Sequence, residues 1–515
     1  MREQSLTYGS DTRELPEDRM TAPSNLQTGD LISTDPRTGA EVARFPVADA
    51  ATVIEAVDAA REAAAWWGDL APKARRSWLL RFRAELSRRA EELAAVISAE
   101  TGKPTDDALL EVMLAVVHID WAAKNAEKVL GRRKVPSGLL GANLAATVEY
   151  RPFGVVGCIG PWNYPVFTPM GSVSYALAAG NAVVFKPSEL TPAVGQFLAD
   201  TWNAACPGQP VLQVIHGGGE TGAALCRSGV DKLAFTGSAR TARTVMATCA
   251  ESLTPVTIEG GGKDAFLIDS DADVDAAVDA AAFGAFGNAG QTCAGVERVY
   301  VVSDRYDEFV DKLVARTRAL RGGDDDGADY GPATMARQLP IIAGHIDDAL
   351  AHGGRALVGG RESVGETTVQ PVVLVDVPED STAVTDETFG PTVVVNRVAT
   401  IEEGIERANN STYGLSAAIM TRNVSRGREL ARLLRTGSVA VNSFLSFASV
   451  PALPFGGLGD SGFGRIHGAD GLREFSRPQA VAAQKFTAPM NLLTFDRKAR
   501  DMKAVRLMLR HVYGR

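Results

Sequence analysis

Short apolar runs, mostly β-branched, recur in the first half of the chain at residues 182–185, 211–215, 232–235 and 255–258, separated by stretches of helix-compatible length. That alternation builds a parallel sheet wound by helices, because successive parallel strands can be joined only by a crossover. After Lys263 a second alternation begins, with a helical run over 273–287, a strand at 298–302, a helix near 306–320 and strands at 369–375 and 392–395. Two α/β domains are therefore expected, in line with a length of 515 residues, which exceeds one core of ordinary size. Ahead of the first sheet, residues 49–67, 73–101 and 106–129 read as amphipathic helices that flank it.

Composition narrows the function classes. The 53 basic and 62 acidic side chains leave a formal net charge of −9, which argues against a general nucleic-acid binder. The most apolar stretch, residues 166–185, is interrupted by Pro169, Ser172, Ser174, Gly180 and Asn181, so no membrane-spanning helix is expected. The polar first twenty residues carry no leader pattern, and residues 1–28 read as an N-terminal arm. Five cysteines without a CxxC pair point to reduced thiols in the cytoplasm, and six scattered histidines point to no metal site. The acidic, glycine-rich residues 321–331 read as a solvated loop.

Two segments pair a thiol with a carboxylate. One is Asn288-Ala289-Gly290-Gln291-Thr292-Cys293; the other is Glu259-Gly260-Gly261-Gly262-Lys263, which follows the apolar run 256–258 and so stands at the carboxyl end of a parallel strand. A thiolate adds to an aldehyde, the adduct loses hydride, and a carboxylate can activate the water that releases the resulting thioester. Free cysteine titrates at about 8.5, so such a thiol needs local help to ionise.

Together with Pro161-Trp162-Asn163-Tyr164-Pro165 and Glu387-Thr388-Phe389-Gly390-Pro391, these motifs make residues 29–478 resemble the NAD(P)-dependent aldehyde dehydrogenase superfamily. The resemblance implies an α/β fold with a Rossmann-type cofactor domain (29–143 and 152–262), an α/β catalytic domain (263–470), a β oligomerisation arm (144–151 and 471–495) and a basic tail (496–515). It implies Cys293 as nucleophile, Glu259 as base, and Asn163 as oxyanion donor beside the Cys293 N–H. On the cofactor side it implies Trp162, Lys186, Ser188, Glu189, Gly237, Ser238, Glu387 and Phe389. Lys186 and Glu189 then address the adenosine ribose, the helix after Gly237-Ser238 the pyrophosphate, and Glu387 and Phe389 the nicotinamide end. A carboxylate at Glu189 favours NAD by repelling a 2′-phosphate, while Ser188 and Lys186 leave NADP open. Gly217–Gly222 fits a GxGxxG pattern and reads either as a turn near the adenine or as a phosphate cradle. Where the family usually has leucine this chain has Gly260, which implies a more flexible backbone beside the base.

The loop 442–457 holds no Lys or Arg, and Tyr164, Phe167, Met170, Phe444 and Phe447 suggest an apolar tunnel. Medium-chain or aromatic aldehydes are the expected substrates, with succinate semialdehyde as the alternative and a non-catalytic structural protein as the alternative of another class. Water is the expected acyl acceptor, since the family's CoA-dependent members tend to lack the glutamate that Glu259 matches. A homodimer or homotetramer is implied if the strands at 145–150 and 480–484 pair with another subunit; two ordinary edge strands are the other reading. The tail carries seven Lys or Arg against two Asp, with Met502, Val505, Leu509 and Val512 at helical spacing, and suits subunit packing or a membrane surface.

Overall fold

The computed structural model describes residues 26–27, 29–325, 327–488, 490 and 492–514. The N-terminal arm expected over 1–28 lies outside these, apart from the strand Leu26–Gln27, which pairs with Asp30–Thr34 in a small antiparallel sheet completed by Glu41–Pro46.

The first alternation forms a six-stranded sheet in the order Gly462–Phe463, Val256–Glu259, Lys232–Thr236, Val155–Ile159, Ala182–Lys186, Leu212–Val214. Its strands run parallel except Gly462–Phe463, which returns from late in the chain to lie antiparallel beside Val256–Glu259. Every residue of Ala182–Lys186 is buried, which is why this strand reads as a continuous apolar run ending in one lysine.

The second alternation forms a seven-stranded sheet in the order Arg355–Val358, Val372–Val375, Thr392–Val398, Arg298–Val302, Ala265–Ile268, Ser416–Met420, Ser438–Val441, antiparallel only at its first pair. The strand expected over 369–375 is shorter, Val372–Val375, because Pro371 lacks the N–H a ladder needs.

The single helix expected over 73–101 is two helices, Pro72–Arg88 and Ala90–Thr101, broken at Arg89 (φ −104°, ψ 19°). The Arg89 side chain explains the break. It stacks its guanidinium 4.0 Å over the Phe197 ring and donates to the Thr201 hydroxyl at 3.2 Å, tying the bend to the helix Pro192–Ala205. Leu144–Pro152 and Ser476–Gln484 pair with each other, antiparallel over nine residues, with Arg133–Val135 on the far side of the first. The tail folds into the helix Ala499–His511. Among the described residues no helix is long and apolar enough to cross a membrane.

Candidate active site

The carboxyl end of Val256–Glu259 faces the loop that follows the helix Val274–Phe286. That loop turns through three consecutive left-handed residues, Asn288 (φ 54°), Ala289 (φ 56°) and Gly290 (φ 70°). Only glycine fits at 290: a Cβ there would lie 2.1 Å from the Gly390 carbonyl oxygen. The turn delivers half-buried Cys293 with its Sγ 3.8 Å from Glu259 Oε1. The glutamate is buried, its second oxygen accepting from the Thr236 hydroxyl at 3.3 Å, and burial raises its pKa to about 7. Burial first, then the carboxylates of Glu259, Asp264 and Glu387, push the Cys293 thiol well above its ordinary range. The thiol is therefore protonated in the unliganded site and has a base beside it.

Asn163 is buried on the other side of the thiol loop, its side-chain amide donating to the Gln291 carbonyl at 2.9 Å. An amide has two N–H groups, so one remains for a ligand. Next to it the Tyr164 hydroxyl meets the Thr292 hydroxyl at 3.0 Å. The structure shows what holds this loop. Lys103 Nζ donates to the Asn163 carbonyl at 2.7 Å and to Glu111 at 2.8 Å, while the other oxygen of Glu111 accepts from the backbone N–H of Val166 (2.7 Å) and Phe167 (3.1 Å). Both side chains of this ion pair are almost wholly buried. A buried pair at the first turn of the helix Phe167–Ala179 thus fixes Asn163 from behind, and the motif reading missed it.

A second buried pair does the same for the Glu387 loop. Lys263 meets Glu297 and also donates to the Thr388 hydroxyl at 3.1 Å; Glu297 accepts from the N–H of Thr388 (2.9 Å) and Phe389 (3.0 Å). Phe389 is thereby held at φ 52°, with its ring edge-on to Trp162 at 5.6 Å. Glu387 lies under the glycine run, accepting from the Gly262 N–H at 3.0 Å, and burial raises its pKa to about 8. A Cβ on Gly261 would lie 2.0 Å from that carboxylate.

Gly260 departs from the flexible hinge its residue type implies. Its N–H donates to the Ser461 carbonyl at 3.0 Å, and a Cβ would stand 2.6 Å from the Asp460 carbonyl oxygen, so the turn Gly459–Ser461 leading into the returning strand presses on this position and fixes it.

The remaining cofactor-side residues lie along the strand ends of the same sheet. Gly237 N–H donates to the Glu259 carbonyl at 3.0 Å, and Ser238 caps the helix Ala239–Ala250, leaving first-turn N–H groups for an anion. Lys186 is buried, donating to the Pro187 carbonyl at 3.0 Å and standing 3.9 Å from Glu189. Ser188 turns inward and accepts from the Leu190 N–H at 3.2 Å. A Cβ on Gly222 would touch the Lys186 side chain at 3.7 Å, which puts the glycine turn beside the Lys186 end of the row. Carboxylates at both ends and a helix N-terminus between them fit an extended dinucleotide.

Of the rings expected on the aldehyde side, Tyr164 reaches the thiol loop through the Thr292 hydroxyl. Tyr164, Phe167 and Phe444 are half-buried. Phe167 packs against the rings of His118 (5.3 Å) and His467 (5.4 Å), and Phe444 against Phe283 (6.4 Å). Phe447 is buried and stacked on Phe455 at 5.7 Å, so its ring faces the interior. Arg465, the first cation after this loop, donates from one guanidinium nitrogen to the Gly457 and Gly464 carbonyls.

The family model for the aldehyde dehydrogenase family matches residues 24–481. The chain is 38% identical to a mitochondrial benzaldehyde dehydrogenase of Antirrhinum majus over 87% of its own length and 84% of that protein's. It is 35% identical to a putative NADP(+) succinate-semialdehyde dehydrogenase of Mycolicibacterium smegmatis, covering 87% of each. Lactaldehyde dehydrogenase from Escherichia coli superposes on 89% of this chain and 96% of its own with a TM-score of 0.85 at 31% identity. Similarity over nearly the whole of both chains, at this identity, places the protein in the aldehyde dehydrogenase family, as an oxidoreductase acting on aldehydes with a nicotinamide dinucleotide as acceptor.

Proposed function

We propose that the enzyme oxidises medium-chain or aromatic aldehydes to carboxylic acids through a thioester on Cys293, with water as the acyl acceptor and NAD favoured over NADP. The observation that carries this reading is the 3.8 Å contact of the Cys293 thiol with the buried Glu259 carboxylate, set beside an Asn163 amide with one N–H to spare. Cys293 Sγ attacks the carbonyl carbon as its proton passes to Glu259, and the developing alkoxide takes the free N–H of Asn163 and the N–H of Cys293. When bound, the nicotinamide dinucleotide supplies the acceptor for the hydride lost from that carbon. Glu259 releases that proton to solvent and, ionised again, takes a proton from water, whose oxygen attacks the acyl carbon; the C–S bond breaks, the acid leaves and the thiolate is restored. A base with a pKa of about 7 suits both transfers at neutral pH.

The substrate reading rests on the rings of Tyr164, Phe167, Phe444 and Phe447 and on two cations already engaged, Lys103 by Glu111 and Arg465 by backbone carbonyls. The benzaldehyde-oxidising relative supports it; the relatives named for succinate semialdehyde support the runner-up. The exposed outer side of Ser476–Gln484 supports assembly with further copies as a dimer or tetramer. The experiment is a kcat/KM panel of hexanal, benzaldehyde and succinate semialdehyde with each dinucleotide. Hexanal and benzaldehyde should lead, and each added methylene that fits should contribute about 0.8 kcal/mol, roughly three- to fourfold. Succinate semialdehyde ahead by tenfold would overturn the apolar assignment. NADP used more efficiently than NAD would overturn the reading of Glu189.

A further inference from the structure

The family model ends at residue 481, so the helix Ala499–His511 lies beyond the residues it matches, and the proposed chemistry leaves it unused. Residues 496–515 hold seven Lys or Arg against two Asp in a chain whose formal net charge is −9. Met502, Val505 and Leu509 on this helix, with Val512 at its C-cap, recur every three or four residues and share one side, while Lys503, Arg506 and Arg510 share the adjoining side. All three cations are exposed, and so are Leu509 (59%), Val512 (55%) and Tyr513 (63%). Phe495, just ahead of the helix, is fully exposed; Asp501 is buried and Met502, Val505 and Met508 are half-buried, so among the described residues the helix is covered only in its first turns.

The combination selects a partner. A nucleic acid would take the cations and leave the apolar side in water. An apolar protein groove would take the stripe and leave the cations without counter-charge. An anionic lipid surface takes both, with headgroup phosphates at the lysine and arginines and the acyl boundary at the apolar side.

We propose that residues 495–513 dock the enzyme reversibly on anionic bilayers, the helix lying in the plane of the headgroups. Apolar aldehydes concentrate in that layer, so docking would bring the tunnel to its substrates; this second clause rests on the substrate reading above, whereas the docking does not.

The test is co-sedimentation of the full-length protein with vesicles of phosphatidylcholine, alone or mixed with phosphatidylglycerol, at low and physiological salt. Binding to the mixed vesicles, weakened by salt and absent from phosphatidylcholine alone, is expected. Each cation near such a surface strengthens binding about fivefold, so K503Q/R506Q/R510Q should weaken it about a hundredfold. L509D/V512D should abolish it, and both variants should keep wild-type turnover of a water-soluble aldehyde. No binding to mixed vesicles at low salt overturns the proposal, and so does binding that survives the triple variant. Absence of vesicle binding together with a change of oligomeric state in these variants, read by sedimentation velocity, would assign the helix to a subunit contact. If docking holds while the aldehyde panel favours succinate semialdehyde, only the substrate clause falls.

Discussion

The two sides of Cys293 are built in different ways. On the proposed cofactor side the groups sit at strand ends or are held by backbone hydrogen bonds: Gly237 to the Glu259 carbonyl, Gly262 to Glu387, and Thr388 and Phe389 to Glu297. On the proposed aldehyde side they are rings on a helix and a loop, placed by packing against one another, such as Phe444 on Phe283 and Phe447 on Phe455. Backbone hydrogen bonds constrain residue type through close approach, which is why that side is full of glycines. Ring packing accepts many apolar residues of similar size. On the proposed reading the chemistry is therefore written in motifs, and the specificity in volumes that no motif records.

Breaking the thiol should have the largest effect. Cys293→Ala should abolish aldehyde oxidation and leave dinucleotide affinity, measured by fluorescence titration, close to wild type. Turnover that survives would remove the thiol from the chemistry.

The clamp behind Asn163 links the two sides and should come next. Lys103→Met leaves Glu111 buried without its counter-charge, which should lower unfolding free energy by about 3–5 kcal/mol in denaturant titration. It should also lower kcat more than it raises KM if Asn163 acts as the proposed oxyanion donor, since that contact strengthens in the transition state. Lys103→Arg, which keeps the charge, should recover part of kcat. A Lys103→Met enzyme with normal kcat would show that Asn163 needs no support from this pair.

A smaller, graded effect should follow pH. Burial raises Glu259 to about 7, and the base acts only when ionised, so the rate of thioester release should fall about tenfold per unit below pH 7 and level off above it. Glu259→Gln should erase that limb. A profile still rising from the ordinary carboxylate range near pH 4.5 would mean that the buried environment does not act on the base as described.

The sequence shows the sheets well, because strands such as Ala182–Lys186 are buried on both faces and therefore read as apolar runs. It shows Cys293, Glu259 and Asn163 through their motifs, and the structure brings them together. It does not show Lys103, Glu111 or Glu297, since these act through partners far along the chain, Lys103 on Asn163 and Glu297 on Thr388. A signal was present: Glu297 stands between Val296 and the wholly buried strand Arg298–Val302, where a charge demands a partner. Gly260 reads as slack in the sequence because the neighbour that presses on it, Asp460, lies in a different part of the chain. The helix break at Arg89 was hidden for a similar reason, since arginine is a good helix former and its contacts are with Phe197 and Thr201.

The most direct test of the central claim, that Cys293 and Glu259 divide the reaction into acylation and hydrolysis, is rapid mixing of Glu259→Gln with aldehyde and NAD. The account predicts a burst of one equivalent of reduced cofactor per active site, then a stall, with the acyl group on Cys293 by mass spectrometry. Steady turnover at the wild-type rate with no acyl adduct would contradict it.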